Sequence, residues 1–326
     1  MHERLFSLMH ETVLKTEVPK RDSPYDKLHA CLSAGTRVCF DELMARRTTL
    51  RVGGPADVYV EPDGESELGV VLEFCAQNRI PWFILGRGSN VLVRDGGFRG
   101  IVICLAAESF RHVQVESLQI RCGAGARLKA VAVEAKRYGL TGFEFLEGIP
   151  GSVGGGLRMN AGAMGSAMFE RVETVRVMDH CGQIEELLPA RMGVAYRCCG
   201  LLKDKIALSA LLRGKKGEPA EIAELMNQFS RKRWQSQPAA PSAGCMFKNP
   251  VTVPAGKLID ELRLKGTRVG GALVSLEHGN FIINEGNATA QNILDLIELI
   301  RERARTERGL ELETEVEIIG DSLRTH

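Results

Sequence analysis

The hydrophobic pattern of the chain changes period several times. From Ala56 to Glu61 apolar and polar positions alternate, which predicts a strand. Over 65–79, Leu68, Val71, Leu72 and Cys75 return at helical spacing and predict a helix with one buried face. Ile80 to Leu85 is mostly apolar and reads as a buried strand running into a glycine loop. These make a βαβ-type unit, and the chain returns as a strand near Ile101. Short strand patterns follow at 113–116, 119–122, 172–179, 182–188 and 205–213. One helix, 126–138, interrupts them and stops at Gly139. The last third opens with a helix over 219–234, with Pro219 in a first turn that accepts it. Its Ile222, Leu225, Met226 and Phe229 share one face. A loop over 236–244, a short helix near 255–263 and a strand at 281–284 come next. Helix 288–308 carries Ile293, Leu296, Ile297 and Ile300 as its stripe, with Thr289 or Asn287 as its cap. Strand 311–319 closes the pattern.

This is an α+β chain in three units. Residues 1–36 form a poorly ordered extension or a short peripheral helix; 37–105 are βαβ-type, 106–213 strand-rich and 214–326 α+β. A length of 326 residues suits two or three domains. With 42 basic and 41 acidic residues the net charge is +1, so nucleic acid is not an expected partner and any anion needs a local site. The nine cysteines form no CxxC pair, so no metal site is expected. They read as reduced thiols, most of them small core residues, in a cytoplasmic protein. No N-terminal apolar run suits a signal peptide or membrane insertion.

Five stretches carry chemistry. Gly86-Arg87-Gly88-Ser89-Asn90 follows a strand and can turn backbone N–H groups toward a phosphate; a plain tight turn explains it equally well. There is no GxGxxG and no GxxxxGK[ST], which removes the Rossmann and Walker readings. The glycine-rich run 148–165 can line an elongated cofactor, with Ser152, Arg158 and Asn160 as its polar side chains. Cys245, in a glycine-flanked loop beside Lys248 and Asn249, is a candidate proton donor or nucleophile, although a single cysteine is more often inert packing. Arg197, after Tyr196, is a candidate carboxylate or phosphate clamp, against the plain alternative of a surface ion pair. Glu311, Glu313, Glu315 and Glu317 alternate onto one face of the last strand, usually a solvated one.

Taken in order, TTLRVGGPAD from Thr48, GRGSN from Gly86, GIPGSVGG from Gly148, MNAGA from Met159, Tyr196-Arg197, GCMFKNP from Gly244 and Glu313-Thr-Glu-Val316 resemble the UDP-N-acetylmuramate dehydrogenase family, also called UDP-N-acetylenolpyruvoylglucosamine reductases. The resemblance covers about 38 to 320. It implies two domains of a vanillyl-alcohol-oxidase-type FAD-binding module and a C-terminal α+β substrate domain that closes over the substrate. It implies FAD as cofactor and NADPH as hydride donor. The substrate is the small molecule UDP-N-acetylglucosamine enolpyruvate, reduced by hydride at C3 and a proton at C2 to UDP-N-acetylmuramate for peptidoglycan synthesis.

By this match Arg197 and Glu315 stabilise the developing enolate and Cys245 delivers the proton. A serine is usual where Cys245 stands. A thiol, with an ordinary pKa of about 8.5, is a readier acid, open to oxidation and to ionisation beside Lys248. FAD is expected on Gly86, Arg87, Gly88, Ser89, Asn90, Gly148, Ile149, Pro150, Gly151, Ser152, Gly154, Gly155, Asn160 and Gly162. Substrate is expected on Tyr196, Arg233, Lys248 and Asn249, the last three for its diphosphate and sugar. No tyrosine follows Tyr196, so the chain resembles the shorter, type II subgroup, which lacks a clamping-tyrosine insertion. Cys198 and Cys199 stand where serine is more usual and receive no role. Two rivals remain: an oxidase or dehydrogenase of another small alcohol, and a non-catalytic flavin protein with Cys245 as a redox sensor. Loss of Arg197 or Glu315 would favour the latter, and both are present.

Overall fold

The computed structural model describes residues 24–323. Of the expected N-terminal extension, residues 1–23 lie outside the described residues, and Pro24–Cys31 form a short helix, α1, whose Leu28 is buried against the next helix's core. The first sheet holds β1 (Arg37–Leu43), β2 (Pro55–Glu61), β3 (Trp82–Ile84) and β5 (Phe98–Ile103) in the order β1-β2-β5-β3. The crossover from β2 to β3 is helix α2 (Glu65–Asn78), which buries Leu68, Val71, Leu72 and Cys75. β2 and β3 are parallel but not adjacent, because β5 enters between them. The Ile80–Leu85 run is not a fully buried strand: β3 is half-buried, because Trp82, Phe83 and Ile84 line a cavity. A further short strand, β4 (Val91–Val93), lies apart from this sheet.

The second sheet is antiparallel and five-stranded, from Val113–Glu116, Gln119–Gly123, Val172–Met178, Ile184–Leu187 and Ile206–Arg213. Helix α3 (Leu128–Arg137) buries Leu128, Val131, Ala132 and Ala135 on it. Gly139, at φ +63°, takes the left-handed turn after its end. The glycine run is not all loop: Val153–Arg158 form α4, capped by the Ser152 side chain. Helix α5 (Pro219–Ser236) follows residue 214, yet it buries Ile222 and Met226 in the same core as α3 and the first sheet.

A second core gathers Met246, Phe247, α6 (Ala255–Glu261) and α7 (Ala290–Arg308) with a sheet of Ser242–Cys245, Phe281–Asn284, Ala272–Val274 and Arg268–Val269. Thr289 caps α7 in a reciprocal box with Asn292. Leu50, Val52 and Leu92 from the first unit join this core. Asp95 also accepts the N–H groups of Ala290 and Gln291, each at 2.8 Å, at the positive end of α7. The last strand, Glu317–Ile319, runs back to pair in parallel with β4. It is shorter than the expected 311–319.

Most cysteines are not core residues. Cys75, Cys122 and Cys199 are buried; Cys39, Cys104, Cys198 and Cys245 are half-buried; Cys31 and Cys181 are exposed. The exceptions fall where the chain lines a cavity or a surface turn. Among the described residues no helix is long and apolar enough to cross a membrane.

Candidate active site

A cavity of about 870 Å³ separates the two sheets from the second core. One wall is main chain. Gly88 sits at φ +63°, and a Cβ there would lie 2.3 Å from the Arg47 carbonyl, so only glycine fits. Thr49 pins the loop by donating from its N–H to the Gly88 carbonyl at 3.0 Å. Ser89 Oγ donates to the Pro150 carbonyl at 2.6 Å and ties this loop to the glycine run. Among the described residues the N–H groups from Gly86 to Asn90 meet no protein acceptor. Such a row is a ready cradle for a diphosphate.

Across from it, α4 approaches closely because its residues lack side chains. A Cβ on Gly154 would lie 3.1 Å from Ala124, and one on Gly156 would lie 3.2 Å from Leu128. Gly86, Arg87, Gly88, Ser89, Asn90, Ile149, Pro150, Gly151, Ser152, Gly154, Gly155 and Gly162 all line the cavity. Gly148 and Asn160 do not. The Gly148 carbonyl accepts from Arg233, and Asn160 spends its side chain on the Ala195 carbonyl and the Phe169 N–H, at 3.1 and 3.2 Å. The donor row, the cavity volume and the apolar surface of β3 fit a flavin dinucleotide.

Sequence reasoning missed Tyr59 and Arg47, which also line the cavity. The Arg47 guanidinium lies 4.2 Å from the centre of the Tyr59 ring. Burial raises the Tyr59 hydroxyl above its ordinary pKa, with Cys104 and Glu61 adding to the effect. The alternation of Ala56–Glu61 marks a strand but does not say that one face meets a ligand.

The other wall is side chain. Arg197 sits at φ +54° between the two-residue strands Val194–Ala195 and Cys198–Cys199. Its Nη1 donates to the Gly162 carbonyl at 3.1 Å. Its Nε lies 2.9 Å from Glu315 Oε1, close enough for an ion pair but off the line of a hydrogen bond. This buried Nε–H therefore has unspent donor capacity. Glu315 is placed by its own backbone: its N–H donates to the Met246 carbonyl at 2.8 Å, and its carbonyl accepts from Asn90 Nδ2 at 3.0 Å. Burial raises its carboxyl above the ordinary value, against the pull of Arg197 and Lys248.

Cys245 ends the edge strand Ser242–Cys245, where the pairing with Phe281–Asn284 is irregular. Burial, reinforced by Glu315, pushes its thiol up to about 12, although Arg197 and a hydrogen bond with Asn280 act the other way. Asn280 is only 2% exposed and grips both backbone groups of Phe247, at 2.9 and 2.7 Å. The expected risk of ionisation beside Lys248 is thus not what the surroundings produce. Lys248 pairs instead with the exposed Glu313 at 2.8 Å.

The four glutamates do not share one face. Glu311 pairs with Arg305 and Glu313 with Lys248, both near solvent, while Glu315 and Glu317 line the cavity. The segment is bound first to Met246 and then to Asn90, which breaks the strand before Glu317. The expected substrate residues stand outside the lining. Tyr196 is 55% exposed beside Arg197, and Arg233 bonds Gly148 and Gln237. Asn249 accepts the Ala255 N–H at the start of α6, at 3.0 Å.

Comparison with known proteins agrees with both halves of this picture. Residues 56–188 match a family described as an FAD binding domain. Residues 237–319 match the UDP-N-acetylenolpyruvoylglucosamine reductase C-terminal domain. The chain is 43% identical over 299 residues to a UDP-N-acetylenolpyruvoylglucosamine reductase of Caldanaerobacter subterraneus, covering 91% of this chain and 98% of that one. It is 42% identical over 281 residues to the enzyme so named in Clostridium novyi, covering 86% and 91%. A crystal structure of the reductase from Thermus caldophilus superposes with a TM-score of 0.75 at 40% identity, over 87% of this chain and 98% of that chain.

Proposed function

The chain belongs to the UDP-N-acetylenolpyruvoylglucosamine reductase family, and from that premise we propose how its own residues divide the work. It is an FAD-containing, NADPH-dependent enzyme that reduces UDP-N-acetylglucosamine enolpyruvate to UDP-N-acetylmuramate, in peptidoglycan precursor synthesis. When bound, FAD carries hydride from NADPH to C3 of the enolpyruvyl group. Gly86 to Asn90 and Ile149 to Gly155 would hold it, with Gly148, Asn160 and Gly162 supporting that wall.

Arg197 stabilises the negative charge that grows on C2 and the adjacent carboxylate. Its unspent Nε–H gives it a donor to offer. Cys245 holds a proton at Sγ and delivers it to C2. Its high pKa keeps that proton in place at neutral pH, and Arg197 nearby steadies the thiolate left behind. Glu315 holds Arg197 in position, and burial raises its carboxyl above the ordinary value. Tyr196 and Lys248 flank this corner and, with Arg233 and Asn249, are the candidates to grip the sugar and diphosphate. We place the reaction in the cytoplasm, where nine unpaired cysteines suit a reducing compartment.

The observation that carries these roles is the meeting of Arg197, Cys245 and Glu315, from three separate segments, on the cavity that the glycine loops line. The test is anaerobic NADPH oxidation by the FAD-loaded protein, with and without the enolpyruvyl substrate. Turnover that requires the substrate supports the assignment. Flavin that is bleached by NADPH and never restored by that substrate overturns it.

A further inference from the structure

Two ion pairs reach segment 315–317 of the cavity wall, and only Arg197–Glu315 has been given a task. The second joins Arg158, the last residue of α4, to Glu317, the first of the last strand. Arg158 Nη2 donates to Glu317 Oε1 at 2.6 Å, and Nε donates to Oε2 at 3.2 Å. The remaining nitrogen, Nη1, donates to the Leu202 carbonyl. Both side chains are about two-thirds covered, at 29% and 31% exposure, and both line the cavity.

The geometry forms a closed ring. Segment 158–162 carries Arg158 at one end and Gly162 at the other, and the Gly162 carbonyl receives Arg197. Segment 315–317 carries Glu315, which pairs with Arg197, and Glu317, which pairs with Arg158. Arg197 stands on a thin scaffold of two-residue strands, in a left-handed backbone conformation. Asn160 ties that scaffold to segment 158–162 through the Ala195 carbonyl, but among the described residues its polar contact with segment 315–317 is the Arg197 pair alone, so the scaffold does not itself set how far the last strand lies from the glycine run.

We infer that Arg158 and Glu317 are positioning residues. They set the separation between the glycine run and the last strand, so that Arg197 reaches the Gly162 carbonyl and the Glu315 carboxylate together. The two-pronged contact suits this task, because an Arg fork meeting a carboxylate fixes orientation as well as distance. The inference rests on the roles assigned above to Arg197 and Glu315.

The test is stopped-flow spectroscopy on the FAD-loaded enzyme, following the two half-reactions separately: flavin bleaching by NADPH, and recovery of absorbance on adding the enolpyruvyl substrate. Glu317→Gln and Arg158→Lys are expected to slow recovery by roughly 10- to 100-fold, the scale of an ångström's misplacement, and to leave bleaching unchanged. Exchanging the charges, Arg158→Glu with Glu317→Arg, is expected to regain part of the loss. Flavin content and melting temperature are recorded for each, and if one single variant loses its flavin the other decides. Recovery at the wild-type rate overturns the inference, as does equal slowing of both half-reactions. A wild-type enzyme that shows no recovery overturns the assigned reaction itself, and the positioning role with it.

Discussion

The two walls of the cavity are made of different material. The wall formed by Gly86–Asn90 and Ile149–Gly155 offers main-chain donors and close approach. The corner formed by Arg197, Cys245 and Glu315 offers charge and protons from side chains. The first is defined by volume, since a methyl added at Gly88 would strike the Arg47 carbonyl and one at Gly154 would crowd Ala124. The second is defined by chemistry, since burial and the Arg197 charge together set the proton affinity of Cys245 and Glu315. Each should fail under a different kind of substitution.

The largest effect is expected at the chemical corner. Arg197→Ala removes the cation and leaves Glu315 buried without its partner. Substrate-dependent flavin reoxidation should fall by about 10²–10³-fold while the flavin stays bound. Loss of flavin instead would erase the distinction between the walls. Next, Gly88→Val puts a branched side chain at φ +63° and against the Arg47 carbonyl. Strain of about 1–3 kcal/mol should weaken FAD retention by roughly 10- to 100-fold, read as the flavin-to-protein ratio after gel filtration. An unchanged ratio would mean that the main-chain wall is more pliable than its contacts imply.

Cys245→Ser is milder, because serine keeps a protic group in the same place. A fall of about tenfold, with flavin content unchanged, is expected. In the wild type no thiol ionisation should show in the rate near pH 8.5, where an ordinary cysteine titrates, because this thiol is pushed up to about 12. A break in the rate profile there that vanishes in Cys245→Ser would contradict this.

The smallest effect is on stability. The folded Glu315 carboxyl sits above its ordinary value of 4.5, so the folded protein binds more protons than the unfolded chain as pH rises through and above that value. Stability therefore falls with rising pH through that window and is unaffected below it. Glu315→Gln should raise the melting temperature of the flavin-free protein at pH 8 and leave it unchanged at pH 3. An equal change at both pH values would remove burial of the charge as its cause.

Long periodic segments were legible in the sequence. Helix α2 buries the four residues that its spacing predicts, and α7 is capped by Thr289 and hides its expected stripe. Helix α4 was not legible, because three consecutive glycines carry no hydrophobic period and little helical preference. The Ser152 cap, the Val153 and Gly154 N–H bonds to the Ala126 and Ala124 carbonyls, and buried Val153 and Leu157 hold it. The β3 run was read as buried because an apolar surface facing a ligand looks, in sequence, like one facing a core. The partnership of Arg158 with Glu317 spans 159 positions and leaves no local trace. The motifs named the glycine loops, Arg197, Cys245 and Glu315, and the fold adds why Glu315 rather than Glu313 faces the cavity, since the segment binds Met246 and then Asn90.

The pairing of Glu317–Ile319 with β4 also bears on how the molecule is made. Glu315 and Glu317 are translated after every other residue of the site. While the ribosome is still adding the residues of α7, the glycine loops and Arg197 already exist, but Arg197 has no carboxylate to meet. The cavity is therefore finished late, when the segment from Glu315 to Ile319 pairs with residues made more than two hundred positions earlier. A nascent chain halted before that event would have the glycine wall without its opposing acid.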